Sequence, residues 1–366
     1  MFSVAKHFPA PVWTTLWRYT FGQCAFMWNF ILRILAGEPE VPSLIVGSRK
    51  RRQHQQHSNT ARIDGPRQLT YVPIPGPWRR KEKPNWPDTA FQIPAEVPDG
   101  TIYYVTKGRW IGQGSTAHIE LLASGHIVKY PKSNPYCRKN EEENRHRVRA
   151  EAEVYKRLNN ASYVPKLVHW DPELCCLTLE YMDNGSLEAY VGKIAEATTG
   201  DRVVNHVPAQ VRRRWVVQAA RALTVIHAAE VIHCDITPRN FLLNAQLDLH
   251  IADFAGCSIS GSAPLIAPGS RYQPPGWTWN RKATESDDVF ALGSVLYFIM
   301  VGTEPYADLE EEEVHHLFQR AEFPNVDQLA CGRIIQGCWD GNLSTAEEVV
   351  DALNGVEWEA GIEQVC

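Results

Sequence analysis

The segment from His233 to Asn240 reads H-C-D-I-T-P-R-N and runs into the apolar Phe241-Leu242-Leu243. Thirteen residues past Asn240, at the centre of I-A-D-F-A-G, stands Asp253. An aspartate and an asparagine five residues apart, with a second aspartate eighteen beyond the first, suit magnesium-assisted phosphoryl transfer. Asp235 can accept the proton of an attacking hydroxyl, while Asn240 and Asp253 offer oxygens to Mg²⁺ ions that neutralise a triphosphate. Upstream, Ile111-Gly112-Gln113-Gly114-Ser115-Thr116-Ala117 lies between two strand-like runs, where glycines let backbone amides approach phosphates. Taken alone that turn fits an ordinary hairpin. Lys129, about fifteen residues on in His126-Ile127-Val128-Lys129, would by itself fit a solvated strand lysine. Their order along the chain gives both more weight.

The elements that must position these groups follow from composition. The chain has 366 residues, 44% of them hydrophobic, enough for a substantial core in one large domain or two smaller ones. Its 37 basic and 42 acidic residues leave a net charge of −5, which carries no nucleic-acid footprint. Nine cysteines without C-x-x-C spacing read as reduced thiols of an intracellular, cytoplasmic protein. His54/His57 and His315/His316 lack acidic or thiol neighbours at ligand spacing and read as surface residues.

Residues 1–47 are apolar and aromatic, with no acid before Glu38. Within them residues 11–36 form a candidate membrane-associating segment, although Arg18 and Arg33 interrupt the run of about 20 apolar residues that a span needs. A mitochondrial presequence and no targeting role are the other readings. Arg49-Lys50-Arg51-Arg52 fits a positive-inside flank, a nuclear-localisation signal or solvated charge. Residues 48–99 are basic and then proline-rich, which predicts a disordered linker. From residue 100 to 356 the composition is globular, and 357–366 form a tail. Short strands are expected from Thr101 to Lys129, a charged helix from Arg138 to Leu158, and mostly helix from Ala209 to Leu353.

With H-C-D-x-x-x-x-N, D-F-A, the G-x-G turn and the strand lysine in this order, the chain resembles the eukaryotic protein-kinase superfamily. Further segments carry the same resemblance. Glu180-Tyr181-Met182-Asp183-Asn184-Gly185-Ser186-Leu187 resembles the hinge between lobes, Asp288-Val289-Phe290-Ala291-Leu292-Gly293 the helix anchoring the catalytic loop, and Gly302 to Tyr306 the G-x-x-P-[FY] turn. Cys338-Trp339 resembles the C-W of the last helices. Among kinase-like proteins the chain is similar to those of filamentous fungi. The resemblance implies an α+β, two-lobed fold with a small strand-rich lobe and a larger helical one. It implies ATP and Mg²⁺ as cofactors and a protein hydroxyl as acceptor. Asp235 would be the base, with Lys129 and Arg239 as the other catalytic residues and Asn240 and Asp253 as metal ligands. Gly112, Gly114, Lys129, Glu151, Glu180, Met182 and Leu242 would bind the nucleotide, the hinge through its backbone. Glu151 fits the helix carboxylate that pairs with Lys129, and Glu153 is the alternative on another helix face.

Departures from the family pattern keep other readings open. Cys234 replaces the arginine that binds an activation-loop phosphate, giving a non-RD type, and Thr237 replaces the lysine that holds the γ-phosphate. Arg239 stands where tyrosine kinases carry an arginine. The A-P-E motif reads Pro274-Pro275-Gly276, and Leu343 falls where its arginine partner would be, so both members of that pair are absent together. Gly269 replaces the threonine that helps define Ser/Thr kinases, so the acceptor type stays open. A pseudokinase serving as a nucleotide-binding or interaction module is one alternative, and a small-molecule phosphotransferase is another.

Overall fold

A computed structural model describes residues 69–197 and 207–358. The small lobe is built on a five-stranded antiparallel sheet of β3 (Arg109–Gln113), β4 (Ala117–Leu121), β5 (Ile127–Pro131), β6 (Leu167–Asp171) and β7 (Cys176–Leu179). Its spatial order is β3-β4-β5-β7-β6. Against it lies α2 (Arg138–Leu158), whose charged residues cover the outer face while Val148, Glu151, Ala152, Val154, Tyr155 and Leu158 are buried. Asn159 ends that helix in the left-handed region at φ 45°, which asparagine tolerates better than most residues.

The second lobe is mainly helical: α3 (Leu187–Ala197), α4 (Ala209–Ala228), α5 (Glu285–Val301), α6 (Glu311–Gln319), α7 (Gly332–Trp339) and α8 (Ala346–Asn354). Helix α4 buries the predicted stripe Trp215, Val216, Ala219, Ala222, Leu223 and Ile226. Helix α5 is apolar on nearly every face and runs through the core, as such a composition requires. Thr284 and Asp287 close its N-terminus with a capping box, and Gly302 closes its C-terminus at φ 87°. Short strands carry the site-bearing loops: β8 (Gly185–Ser186), β9 (Val231–Ile232), β10 (Phe241–Leu243), β11 (Leu249–Ile251) and β12 (Ser258–Ile259). This is the two-lobed α+β fold that the resemblance implies.

One expectation is corrected. The proline-rich stretch before residue 100 is folded from residue 69 on. β1 (Thr70–Ile74) pairs in parallel with β2 (Thr101–Val105), and the short helix α1 (Pro77–Glu82) follows it. Proline is compatible here because Pro73 lies on an edge strand and Pro77 opens a helix, both positions that spare its missing amide. Thr106 fastens the segment through its hydroxyl, which accepts from the Gly76 amide at 3.1 Å and from Trp78 Nε1 at 3.3 Å. The rest of the linker, the apolar segment 11–36 and the basic run at 49–52 lie outside the described residues. No helix among the described residues is long and apolar enough to cross a membrane.

Candidate active site

Four elements converge on the cleft between the lobes. The third residue of β5, Lys129, lies one strand from the glycine turn, with Ile119 of β4 as its cross-strand partner. Its ammonium bonds Glu151 at 2.7 Å and Asp253 at 2.6 Å. Helical spacing decides between the two candidate glutamates: Glu151 is 1% exposed on the inner face of α2, whereas Glu153 faces outward and lies 3.6 Å from Arg157. Burial alone would lower the Lys129 pKa, but the carboxylates of Asp253 and Glu151 reverse this and hold it above its ordinary value. Burial pushes Glu151 up to about 7, against the opposing pull of Lys129. Lys129 holds Asp253 below the usual carboxylate range. The Asp253 side chain is 49% exposed, and its backbone sits at φ 69°, a costly conformation of the kind that persists at functional sites.

The catalytic-loop segment is held from beneath by helix α5. Asp288, 1% exposed, accepts from the amides of His233 at 2.7 Å and Cys234 at 2.9 Å and contacts His227 Nε2 at 3.0 Å. This fixes the turn in which Cys234 takes φ 66° and from which Asp235 emerges. Asn240 Nδ2 donates to the Asp235 carbonyl at 2.7 Å and to Asp235 Oδ2 at 2.9 Å. The amide group is thereby oriented, and its carbonyl oxygen is left for another partner. Burial raises the Asp235 pKa, while His233 and Arg239 oppose that rise. Arg239 is exposed at the rim, with its charge bearing on both Asp235 and Asp253.

A stack of rings that sequence reasoning missed joins the two halves. Tyr155 of α2 meets Phe254 edge-on at 5.2 Å, and Phe254 meets His233 at 5.3 Å. The three lie in separate segments of the sequence, and nothing local announces their mutual contact. The hinge places Met182 in the buried wall and leaves both the Glu180 carbonyl and the Met182 amide without a partner among the described residues. An adenine edge needs that acceptor–donor pair. Leu242, half-buried on β10, pairs with Ser186 beside the hinge. At Gly112 and Gly114 the space a side chain would occupy is open, and the Gly114 amide bonds Ala117 O at 2.9 Å to close the turn. The structure thus places together Lys129, Glu151, Asp235, Asn240 and Asp253, and places the glycine turn, hinge and Leu242 around them.

The donor set suits a hard cation. Asp253 and Asn240 offer oxygens, and no cluster of three or more His, Cys, Asp or Glu side chains at metal spacing exists among the described residues. A Mg²⁺ ion would complete its shell from phosphate oxygens and water, as that ion commonly does.

Of the departures, Thr237 is buried with its hydroxyl unpartnered among the described residues. Cys234 is buried and lines a small pocket with the apolar Ile236, Pro264, Ile266 and Pro268 and the charged Arg281, Asp287 and Asp288. Burial pushes its thiol well up, with Asp288 adding to the effect.

A family model described as protein kinase domain matches residues 105–349, more than half of the chain. Human 3-phosphoinositide-dependent protein kinase 1 is 26% identical over 245 residues, covering 63% of this chain and 38% of that protein. Aurora/IPL1-related protein kinase 2 of Caenorhabditis elegans is 26% identical over 191 residues, covering 51% of this chain and 59% of that protein. Aurora kinase of Schizosaccharomyces pombe is 28% identical over 166 residues, covering 44% of each. The chain therefore spans well under two thirds of the length of the human relative.

Proposed function

This chain belongs to the protein kinase domain family, and on that premise we propose that it transfers the γ-phosphoryl group of ATP to a protein hydroxyl. The observation that carries the reading is Lys129 held between Glu151 and Asp253, within a site that also presents Asp235 and Asn240. Mg²⁺, when bound, supplies charge neutralisation for the phosphates. Lys129 orients the α- and β-phosphates and is itself oriented by Glu151. Asp235, its carboxylate steered by Asn240, accepts the acceptor hydroxyl's proton as the new phosphorus–oxygen bond forms and the bond from the γ-phosphorus to the β,γ-bridging oxygen breaks, so that ADP leaves. Arg239 supplies positive charge at the rim, where Thr237 carries none. The hinge backbone at Glu180 and Met182, with Leu242 beneath, receives the adenine.

The finer readings belong to the same proposal. With a buried Cys234 in place of the arginine, the segment from Asp253 to Gly276 is held without a phosphate-binding arginine, which makes this a non-RD enzyme. Residues 100–356 form the kinase domain, preceded by the strap at 69–99. The seven described cysteines are free thiols, in keeping with an intracellular setting. The membrane-associating role of residues 11–36 and the similarity to fungal kinase-like proteins rest on sequence alone.

A second reading, a nucleotide-binding pseudokinase, is favoured by one observation: the Thr237 hydroxyl is buried where the family presents a lysine to the γ-phosphate. The deciding experiment compares the full chain with Asp235→Asn. Both should bind Mg·ATP with affinities within about two-fold, while phosphorylation of a mixed protein pool should fall by about 10²–10⁴ in the variant. Equal incorporation by the two proteins, or none by either, would move the reading to the pseudokinase.

A further inference from the structure

Near the C-terminal end of the segment Asp253–Gly276 sits a guanidinium that the proposed chemistry does not use. Arg271 is 5% exposed. Its Nε donates to Pro305 O at 2.9 Å, and its Nη2 donates to Tyr306 O at 3.0 Å and Leu309 O at 2.9 Å. Its Nη1 pairs with Glu311 in the first turn of α6, and Glu304 lies 3.9 Å from Nε. The Arg271 carbonyl accepts from Ser294 Oγ of α5 at 2.6 Å, and that hydroxyl accepts from Trp339 Nε1 at 3.1 Å. Four of the five N–H groups of the fork are therefore engaged by one connection and one helix start.

The places where the family pattern has its glutamate and arginine are occupied differently. Leu343 packs against Gly337, 3.1 Å from where a side chain on that glycine would begin. Gly276 sits at φ 72° and donates its amide to Gln319 Oε1 at 2.9 Å. Helix α6 thus grips the segment through its first turn at Arg271 and through its last residue at Gly276. Tyr272, the residue after Arg271, donates its hydroxyl to Glu304 at 2.8 Å. Glu188 and Arg239 lie close enough to act on that buried phenol, whose ionisation burial disfavours most. Glu304 thus stands between the two neighbours, accepting from the Tyr272 hydroxyl and lying 3.9 Å from the Arg271 guanidinium.

We propose that Arg271 is a positioning residue that fixes the acceptor-facing end of the segment, Gly269 to Gly276, against helix α6 and the Glu304–Leu309 connection. It takes over the task of the absent pair with the charges exchanged: the cation sits on the segment and the carboxylate on the helix. The inference rests on the kinase reading for what the segment positions, but its geometry stands without it. A lysine cannot reproduce the anchor, because a single ammonium cannot reach acceptors spread across a planar fork.

The test is hydrogen–deuterium exchange on the full chain, comparing wild type with Arg271→Met, Arg271→Lys and Glu311→Gln. Peptides spanning residues 268–277 and 304–311 should exchange at least ten-fold faster in R271M and less so in R271K. Glu311 has a side chain 68% exposed, so E311Q keeps the fold whatever R271M does, and it should still exchange about three-fold faster in both peptides. Mg·ADP affinity, measured by calorimetry, should stay within two-fold of wild type in E311Q and R271K. With dephosphorylated casein as acceptor, R271K should raise the KM for casein and leave the KM for ATP unchanged. Faster exchange throughout the helical lobe, or no change in the two peptides, overturns the assignment. Exchange needs no turnover, so a wild type that fails to phosphorylate casein would count against the kinase reading alone.

Discussion

Replacing Lys129 by methionine removes the cation bonded to a carboxylate that is only 1% exposed, and the consequence has a definite sign with pH. Glu151 titrates at about 7 in the folded chain against an ordinary value of 4.5, because burial outweighs the pull of Lys129. A folded pKa above the unfolded one means that the folded state holds the proton more tightly. Ionising Glu151 therefore opposes folding, and this opposition grows from pH 4.5 up to the folded pKa. Without Lys129 the folded pKa climbs further, so the opposition keeps growing above pH 7. Each pH unit between the two values is worth about 1.4 kcal/mol. In Lys129→Met the protonation penalty is about 1.4 kcal/mol at pH 5.5 and approaches a ceiling of about 5 kcal/mol at pH 8, in the range for breaking a buried pair.

The double variant Lys129→Met/Glu151→Gln has no ionisable group at that position. It should match the single variant below pH 5 and exceed it by about 3–5 kcal/mol at pH 8. Urea unfolding curves of the ligand-free chain at pH 5.5, 7 and 8, at constant ionic strength, measure the difference. Equal stabilities of the two variants at pH 8, or a gap that does not widen with pH, would refute the argument that Glu151 is strained by its burial.

Three further outcomes follow from the same geometry. Asp288→Asn turns one acceptor oxygen into an amide facing the His233 or Cys234 N–H, and should cost about 2–4 kcal/mol in the same urea assay while lowering phosphotransfer through the displaced Asp235. Gly76→Ala sets a methyl group on the Thr106 carbonyl oxygen and should release the strap at 69–83, with trypsin cutting at Arg79, Arg80 and Lys81 at least ten-fold faster. Iodoacetamide at pH 8 should label Cys137 first among the described cysteines. Cys234 and Cys257 are buried with thiols pushed up, Cys257 to about 12, and should label only as fast as the chain opens, a contrast that mass spectrometry reads directly.

Much of the site was legible because each group lies within a short local pattern. The Asp235–Asn240 spacing fits one turn of backbone, so the bond between their side chains follows from local geometry. Glu151 was separable from Glu153 only by helix face, and the 21-residue helix from Arg138 to Leu158 has the bounds that its composition suggested. The linker reading failed between residues 69 and 99 because proline frequency reports the loss of amide donors, not the presence of a neighbouring edge that needs none. Thr101–Val105 supplied that edge, and nothing in the proline run announces it.

The sequence by itself determined the order of the parts, the two-lobed α+β class, the candidate residues Lys129, Asp235, Asn240 and Asp253, and the paired absence at Gly276 and Leu343. These are properties of spacing along one chain. Only the tertiary structure decided which charges meet: Lys129 with Asp253, 124 residues away, and Arg271 with carbonyls more than thirty residues downstream. It also decided that Tyr155, Phe254 and His233 form one stack. The reason is that a buried guanidinium or carboxylate is stabilised by whatever oxygens or cations the packed lobes bring within about 3 Å, and long-range packing leaves no periodic trace in the sequence.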